Sequence, residues 1–573
     1  MTITTGDITS ERIDDIPIIL EWLKKMEIAK WIDKSLAKPH GNHQGLSYGQ
    51  LSVLLLTYII SQADHRLCAV EGWVKEHLKI LELATGWSIG GKDTSDDRLA
   101  RMVEELGKQE EARNQIEINL GKHLVRAYEL PTEVARADTS SFSVNHQQSE
   151  TPEESLLRYG HSKDKRPDLL QYRQLLGTLD PAGIPLVSAT LAGNGADDPL
   201  YWPTWQKLAK TIGHKDFIYI ADCKAGAIAT RAQIQANGGK YCFPLPMNGQ
   251  QLAILKQWVL NPPESFVGIR LPRQEADEPD VGKGFEIELG KFWLNVETKK
   301  WVRWDERYLI VYSCSLATAA IRGQEQRLEK SQAALSKLAA KPGNDLDKLN
   351  QNVDNILKRY RVTELLIVTT TAETITETRY IGRGRPTAKS AQEEVKRVKL
   401  QLEFQQQPAA IEEARQLAGW RLYVTNAPIT RLTLTEAVVY YRDEWLLERG
   451  FHRFKRGQLP ALPIYFQNQD RIIGLMFLLT IALRVFTIME FVARQALQDA
   501  EESLVGLYEG NPKRDTSRPS TEQMLKAFGN LTLYLLPDAS IFVTPLSELQ
   551  RRILSLMNIP ESIYCLYPRC RGT

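Results

Sequence analysis

Between residues 131 and 247 the apolar pattern changes its period repeatedly, and this alternation limits the fold more than any other feature of the chain. "TEVARADTSSFSV" is rich in β-formers. "QYRQLLGTLD", the turn "PAG" and "IPLVSATLAG" predict two strands joined by a turn. "DPLYWPTWQKLAKTI" has helical spacing, and "KDFIYIADCKAG" reads as a strand running into a glycine loop. "AIATRAQIQAN" predicts a second helix and "KYCFPLPM" another short strand. The order of three strands, helix, strand, helix, strand implies a mixed α/β sheet.

The flanks read differently. Residues 1–130 carry apolar residues at helical spacing, as in "SYGQLSVLLLTYIISQ" and "DDRLARMVEELGKQ", and predict a helical domain suited to DNA binding or dimerisation. Over residues 248–415 the alternation breaks down. Aromatic strand signals, a helical hairpin turning at "KPGND" and further strand signals in "RVTELLIVTTTAETITETRYI" predict an insertion folded on its own. Core elements return over residues 416–500, and 501–573 reads as a helical C-terminal region. The expected division is therefore 1–130, 131–247, 248–415, 416–500 and 501–573.

Composition removes several function classes. The 72 basic and 70 acidic residues leave a net charge of +2, so any nucleic-acid site has to come from local segregation of charge. The six cysteines show no close CxxC pair, and Cys565 and Cys570 are five apart, which favours free thiols over a zinc site. His40 and His43 in "KPHGNHQG" have no partner cluster in the sequence. The N-terminus shows no basic start before an apolar run, so no signal peptide is expected. The longest apolar run, Ile472 to Leu483, has 12 residues where a membrane span needs about 20. It reads as a buried core helix, with no membrane contact and a cytoplasmic location expected.

Three carboxylates stand out. Asp138 lies in the first predicted strand of the α/β region and Asp222 ends the fourth. Glu448 lies in "VVYYRDEWLLERGFHRFKRG", with Tyr441 seven residues before it, His452 four after and Lys455 seven after, all on one face if the stretch is a single helix. Brought to one point, three such carboxylates repel: at about 5 Å and an effective dielectric near 20, each ionised pair costs roughly 3 kcal/mol. Divalent cations relieve that repulsion, and hard oxygen ligands suit Mg²⁺ or Mn²⁺. Two ions about 3.5–4 Å apart serve phosphoryl transfer. The plainer alternatives are a turn former at Asp138, a helix cap at Asp222 and a salt-bridged surface face at Glu448.

Together these residues resemble the DDE transposases of bacterial insertion sequences, in the superfamily carrying the YREK signature. That signature is Tyr, two residues, Arg, three residues, Glu, six residues, Lys. Tyr441, Glu448 and Lys455 fit the spacing, while Glu444 stands at the arginine position, with Arg442 and Arg449 nearby as substitutes. "DDIPIILEWL", "HGNHQGLSYGQL", "DHRL", "ADTSSFSV" and "GHSKDKRPDLLQ" extend the likeness along nearly the whole chain. The resemblance implies an RNase H-like core interrupted by a β-rich insertion. Asp138, Asp222 and Glu448 would be the metal-binding catalytic triad, holding a pair of Mg²⁺ or Mn²⁺ ions. Tyr441 and Lys455 would contact DNA phosphates, and His452 is a further DNA-contact candidate. The implied activity is cut-and-paste transposition at terminal inverted repeats by a homodimer bound to both ends and to target DNA. The implied setting is the nucleoid of a bacterium.

Other segments are candidate DNA contacts. "GRGRPTAK" resembles the core of an AT-hook and offers Arg383 and Arg385 to a narrow minor groove; the alternative is a solvated loop. "GHSKDKRPD" concentrates His161, Lys163, Lys165 and Arg166, as a phosphate contact or as a polar loop. Trp301 and Trp304 are either base-stacking or core residues. Two rival functions stand beside transposition: a metal-dependent nuclease that cuts without joining, and a non-enzymatic DNA-binding protein derived from a transposase.

Overall fold

The computed structural model describes residues 8–37, 44–262, 265–272, 274–296, 298–381, 392–538 and 540–565. After strand β1 (Thr9–Arg12) come helices α1 (Ile16–Lys25), α2 (Ile28–Ser35), α3 (Tyr48–Gln62), α4 (Leu67–Glu76), α5 (Leu78–Thr85), α6 (Asp96–Lys108) and α7 (Glu110–Ala127). Helix α3 starts at a capping box: the Ser47 hydroxyl accepts the Gln50 N–H, and Gln50 returns a bond to the Ser47 N–H.

The α/β region then follows the order read from sequence: β2 (Val134–Val144), β3 (Leu170–Leu179), β4 (Ile184–Ala192), α8 (Tyr201–Ile212), β5 (Ile218–Ala221), α9 (Ile228–Ala236) and β6 (Lys240–Pro244). Every residue of β3 is buried, as befits a strand covered on both faces. Beyond α10 (Gly249–Leu260) lie β7 (Val267–Ile269), β8 (Gly282–Leu294) and β9 (Trp301–Ser313). Then come α11 (Cys314–Ala340), α12 (Leu346–Tyr360), β10 (Leu366–Tyr380), β11 (Gln392–Gln406), α13 (Pro408–Leu417) and β12 (Trp420–Thr425). The described residues build one nine-stranded sheet in the order β4-β3-β2-β5-β6-β12-β9-β8-β7. Strands β2, β5 and β6 run parallel, while β3 and β4 on one side and β12 on the other are antiparallel to their neighbours.

The expected self-contained insertion over 248–415 is corrected in part. Strands β7 to β9 extend the core sheet through β12, because the long strand β9 pairs with β8 along one edge and with β12 along the other. Only the hairpin α11/α12 and the ribbon β10/β11 have a separate core, built from Leu328, Leu335, Leu349, Val353, Leu400 and their neighbours. Trp304 is buried and donates its indole N–H to Glu306, which makes it a core residue, whereas Trp301 is exposed beside Phe292.

Helices α14 (Leu434–Arg442) and α15 (Trp445–Arg456) precede α16 (Gln469–Asp499). Helix α16 is long and apolar enough to cross a membrane by composition, but 94% of its most apolar window is buried inside the protein. It packs against β4, α3 and α6 and so ties the N-terminal helices to the sheet. At its crossing with α6 the backbones nearly touch: a Cβ on Gly474 would lie 1.9 Å from the Val103 carbonyl oxygen. The C-terminal region is mixed rather than helical, with β13 (Leu504–Val505), β14 (Asp515–Thr516), α17 (Thr521–Lys526), β15 (Thr532–Leu535), β16 (Ile541–Val543) and α18 (Glu548–Leu556). Strand β15 pairs with β1, joining the two ends of the described chain.

Candidate active site

Ala137 of β2 pairs with Ala221 of β5 in parallel register, so the next residues, Asp138 and Asp222, stand side by side. Adjacent strands are about 4.8 Å apart. The dipeptide Ala-Asp occurs at both places, and the register gives that repetition its meaning. The site lies where β5 ends, the usual place for a ligand crevice in a sheet with parallel strands.

Each aspartate has fixed partners. The Tyr201 hydroxyl donates to Asp222 Oδ1 at 2.6 Å, and the Lys224 N–H donates to the same oxygen at 2.9 Å. Asp138 Oδ1 accepts the Thr139 N–H at 2.7 Å and lies 3.2 Å from the Lys163 ammonium. Burial pushes the Asp138 carboxyl above its ordinary range; Lys163 and the Thr139 N–H pull it back, and the Asp222 charge adds to the rise.

Glu444 is the third carboxylate at this point. It sits at the N-terminal boundary of α15, without capping it through its side chain, and shares a cavity of about 20 Å³ with Asp138, Asp222, Arg136 and Tyr441. Such a space holds about one water molecule. Burial raises the Glu444 carboxyl first, and the charges of Asp138, Glu448 and Asp222 add to it while Arg136 opposes them. Arg136 is itself held by Asp180 at 2.6 Å. Glu448, one turn further along α15, is exposed and lines an adjoining cleft of about 530 Å³ with Glu444, Tyr441, Arg442, Trp445 and Arg421.

On the other side of Asp138 lies a basic pocket of about 380 Å³, lined by Lys163, Lys165, Lys455 and Arg456 around Asp164. The Lys455 ammonium is 2.8 Å from Asp164 and sits over the Phe142 ring, 5.1 Å from its centroid. A family model for the transposase DDE domain matches residues 131–484, more than half of the chain. The chain belongs to the DDE transposase family. The matched span begins just before β2 and ends within α16, so this transposase domain contains all four carboxylates. The piggyBac transposase synaptic complex with hairpin DNA, solved by cryo-EM, aligns with 99% of this chain and 89% of that one. Its identity is 8% and its TM-score 0.35, too slight a likeness to carry an argument. No curated protein matches the sequence.

Several expected positions of the transposase need correction. Tyr441 and Glu448 are not on one helix. The chain turns at Asp443 and Glu444, where the Asp443 carboxylate accepts the Trp445 indole N–H at 3.2 Å, and this separates α14 from α15. Tyr441 reaches the site from α14, packed edge-on against Tyr423, with burial and the Glu444 charge pushing its hydroxyl up to about 12. Glu448, His452 and Lys455 do share α15, and His452 is exposed. Arg449 pairs with Glu490 of α16 at 2.6 Å, which ties it to the helix interface, whereas Arg442 is exposed in the cleft. Arg166 pairs with Asp168 at 2.7 Å, and His161 is exposed. Arg383, Arg385, His40 and His43 lie outside the described residues.

The donor set suits a hard cation. Asp138, Asp222 and Glu444 line a space of ionic size, and Asp138 already attracts a cation, the Lys163 ammonium. Among the described residues no three His, Cys, Asp or Glu side chains are close enough to hold one ion together. Strand register therefore fixes the aspartate pair, while Glu444 lines the same cavity and Glu448 the adjoining cleft. Tyr201 escaped the sequence reading, since a tyrosine inside a predicted helix carries no sign of its partner. Tyr201→Phe is expected to leave folding intact and to slow DNA cleavage about tenfold, because loss of one hydrogen bond to a charged group is worth about 1.5 kcal/mol. Cleavage rates beside thermal unfolding curves check this.

Proposed function

We propose that this protein catalyses cut-and-paste transposition of a bacterial insertion sequence from an RNase H-like core. The observation that carries the reading is the placement of Asp138 and Asp222 directly after the paired residues Ala137 and Ala221 of parallel strands in a DDE-domain chain. The strand order β4-β3-β2-β5-β6, antiparallel and then parallel, supports the core assignment. Bound Mg²⁺ or Mn²⁺, as one or two ions, would supply charge neutralisation to the attacking and leaving oxygens. Asp138 and Asp222 would hold it, with Glu448 as the third carboxylate by signature spacing and Glu444 beside it.

The chain's own residues account for the rest. Tyr201 fixes the rotamer of Asp222. Lys163, Lys165, Lys455 and Arg456 form a basic recess, and Lys163 joins it to the carboxylates through Asp138, so a DNA backbone can cross from one to the other. His161, Arg166, His452, Tyr441 and Arg442 are assigned to the DNA path around it. Cleavage places water, and strand transfer a 3′-hydroxyl, in line with a phosphorus held by these groups; positioning and electrostatics supply most of such catalysis. Two element ends call for a homodimer on DNA, within the bacterial nucleoid.

Strand transfer distinguishes this reading from its rivals. A pre-cut element end with a free 3′-hydroxyl is incubated with a target plasmid and Mg²⁺ or Mn²⁺. Covalent joining supports a transposase; cutting without joining supports a nuclease; binding alone supports a DNA-binding derivative. Lys455→Ala is expected to weaken end binding about threefold to tenfold and to lower the salt dependence of binding by about one phosphate contact, as filter binding across a salt series would report.

A further inference from the structure

Lys163 differs from the other cations of its loop. Its ammonium bonds the Thr139 carbonyl oxygen and lies 3.2 Å from Asp138 Oδ1. Thr139 Oγ1 is 3.5 Å away. The Lys163 backbone N–H separately donates to Ser141 Oγ at 2.9 Å, so the loop is fastened to β2 without help from the side chain. The same lysine lines the basic pocket with Lys165, Lys455 and Arg456. Its side chain is 41% exposed, and so it stands on the border between the carboxylates and the basic recess.

An ammonium and a divalent cation cannot share one carboxylate oxygen without strong mutual repulsion. A half-exposed ion pair is also weak and readily exchanged. Lysine has a flexible stem with three rotatable donors, which lets the charge move while the backbone stays fixed.

We propose that Lys163 is the resting counter-ion of Asp138, displaced when a divalent cation binds and then free to grip DNA phosphate in the basic pocket. The inference rests on the metal-dependent site proposed above and adds how that site is regulated. Metal and DNA both draw on the same equilibrium of one side chain. Each therefore favours the state the other needs, and by linkage each raises the affinity of the other. The device keeps the carboxylates neutralised before loading and delivers a cation to the substrate afterwards.

Mn²⁺ alone is the first probe, with free ion counted by electron paramagnetic resonance for wild type, Lys163→Met, Lys163→Arg and Asp138→Asn. Lys163→Met is expected to bind Mn²⁺ about fivefold tighter than wild type, and Lys163→Arg to stay near wild type. Asp138→Asn is expected to lose the site. In a second measurement, fluorescence anisotropy of a labelled DNA duplex, Mn²⁺ should tighten binding by wild type and not by Lys163→Met. Unchanged or weaker Mn²⁺ binding by Lys163→Met, with Asp138→Asn still losing it, overturns the counter-ion role and leaves the metal site standing. Wild-type Mn²⁺ binding by Asp138→Asn overturns the metal site itself.

Discussion

Asp138→Asn and Asp222→Asn are each expected to slow DNA cleavage by about 100- to 1,000-fold or more, with duplex binding within about twofold of wild type. Asparagine keeps the shape of aspartate and one acceptor oxygen. At position 222 that oxygen still takes the Tyr201 hydroxyl, and at 138 it still takes the Thr139 N–H. Only the charge is lost, and with it the affinity for a hard cation. Burial already pushes the Asp138 carboxyl up, so the neutral side chain removes a repulsion and folding stability is not expected to fall. Single-turnover cleavage beside gel-shift binding separates the two effects. The same loss is expected of Glu448→Gln. Glu444→Gln supplies the internal comparison: a silent Glu444 variant with an active Glu448 variant would move the third ligand one helical turn along α15.

Breaking the ion pair Arg484–Glu117 should destabilise the fold more than any other single change to a polar pair named here. Arg484 of α16 is fully buried, and its guanidinium lies 2.9 Å from Glu117 of α7. It also donates to the carbonyl oxygens of Pro185 at 2.7 Å and Leu186 at 3.1 Å on β4. One side chain thus joins the N-terminal helices, the core sheet and the long buried helix. Glu117→Ala strands a buried cation, a loss of about 3–5 kcal/mol. Replacing both partners by methionine should recover much of that, because the stranded charge disappears. Urea unfolding of the single and double variants tests both statements; equal destabilisation by single and double variants would refute the stranded-charge explanation.

The alternation of strand and helix over residues 134–244 was fully legible, because turn residues separate runs of strand formers from runs with helical spacing. Asp138 and Asp222 were legible as strand-associated acids, yet their adjacency depends on the Ala137–Ala221 register, which is set by pairing between residues 84 positions apart. The membership of β8 and β9 in the core sheet was hidden for the same reason: an aromatic hairpin looks self-sufficient until its partner β12 is known. The break between α14 and α15 was hidden by a run with helical spacing on both sides. Lys163 read as one cation among four in a polar loop; its contact with Asp138 arises from the fastening of that loop to Ser141. Arg449 read as a substitute for the signature arginine because its partner, Glu490, lies in another helix.

The proposed role of the Asp138–Asp222 centre is to cut DNA at the ends of a mobile element. The most direct test incubates purified protein and its Asp222→Asn variant, with Mg²⁺ or Mn²⁺, with a plasmid carrying the DNA that flanks its own gene. Products are mapped to the nucleotide. Paired cuts at flanking inverted repeats are expected with the wild-type protein and none with the variant. Equal cutting by both proteins would contradict it.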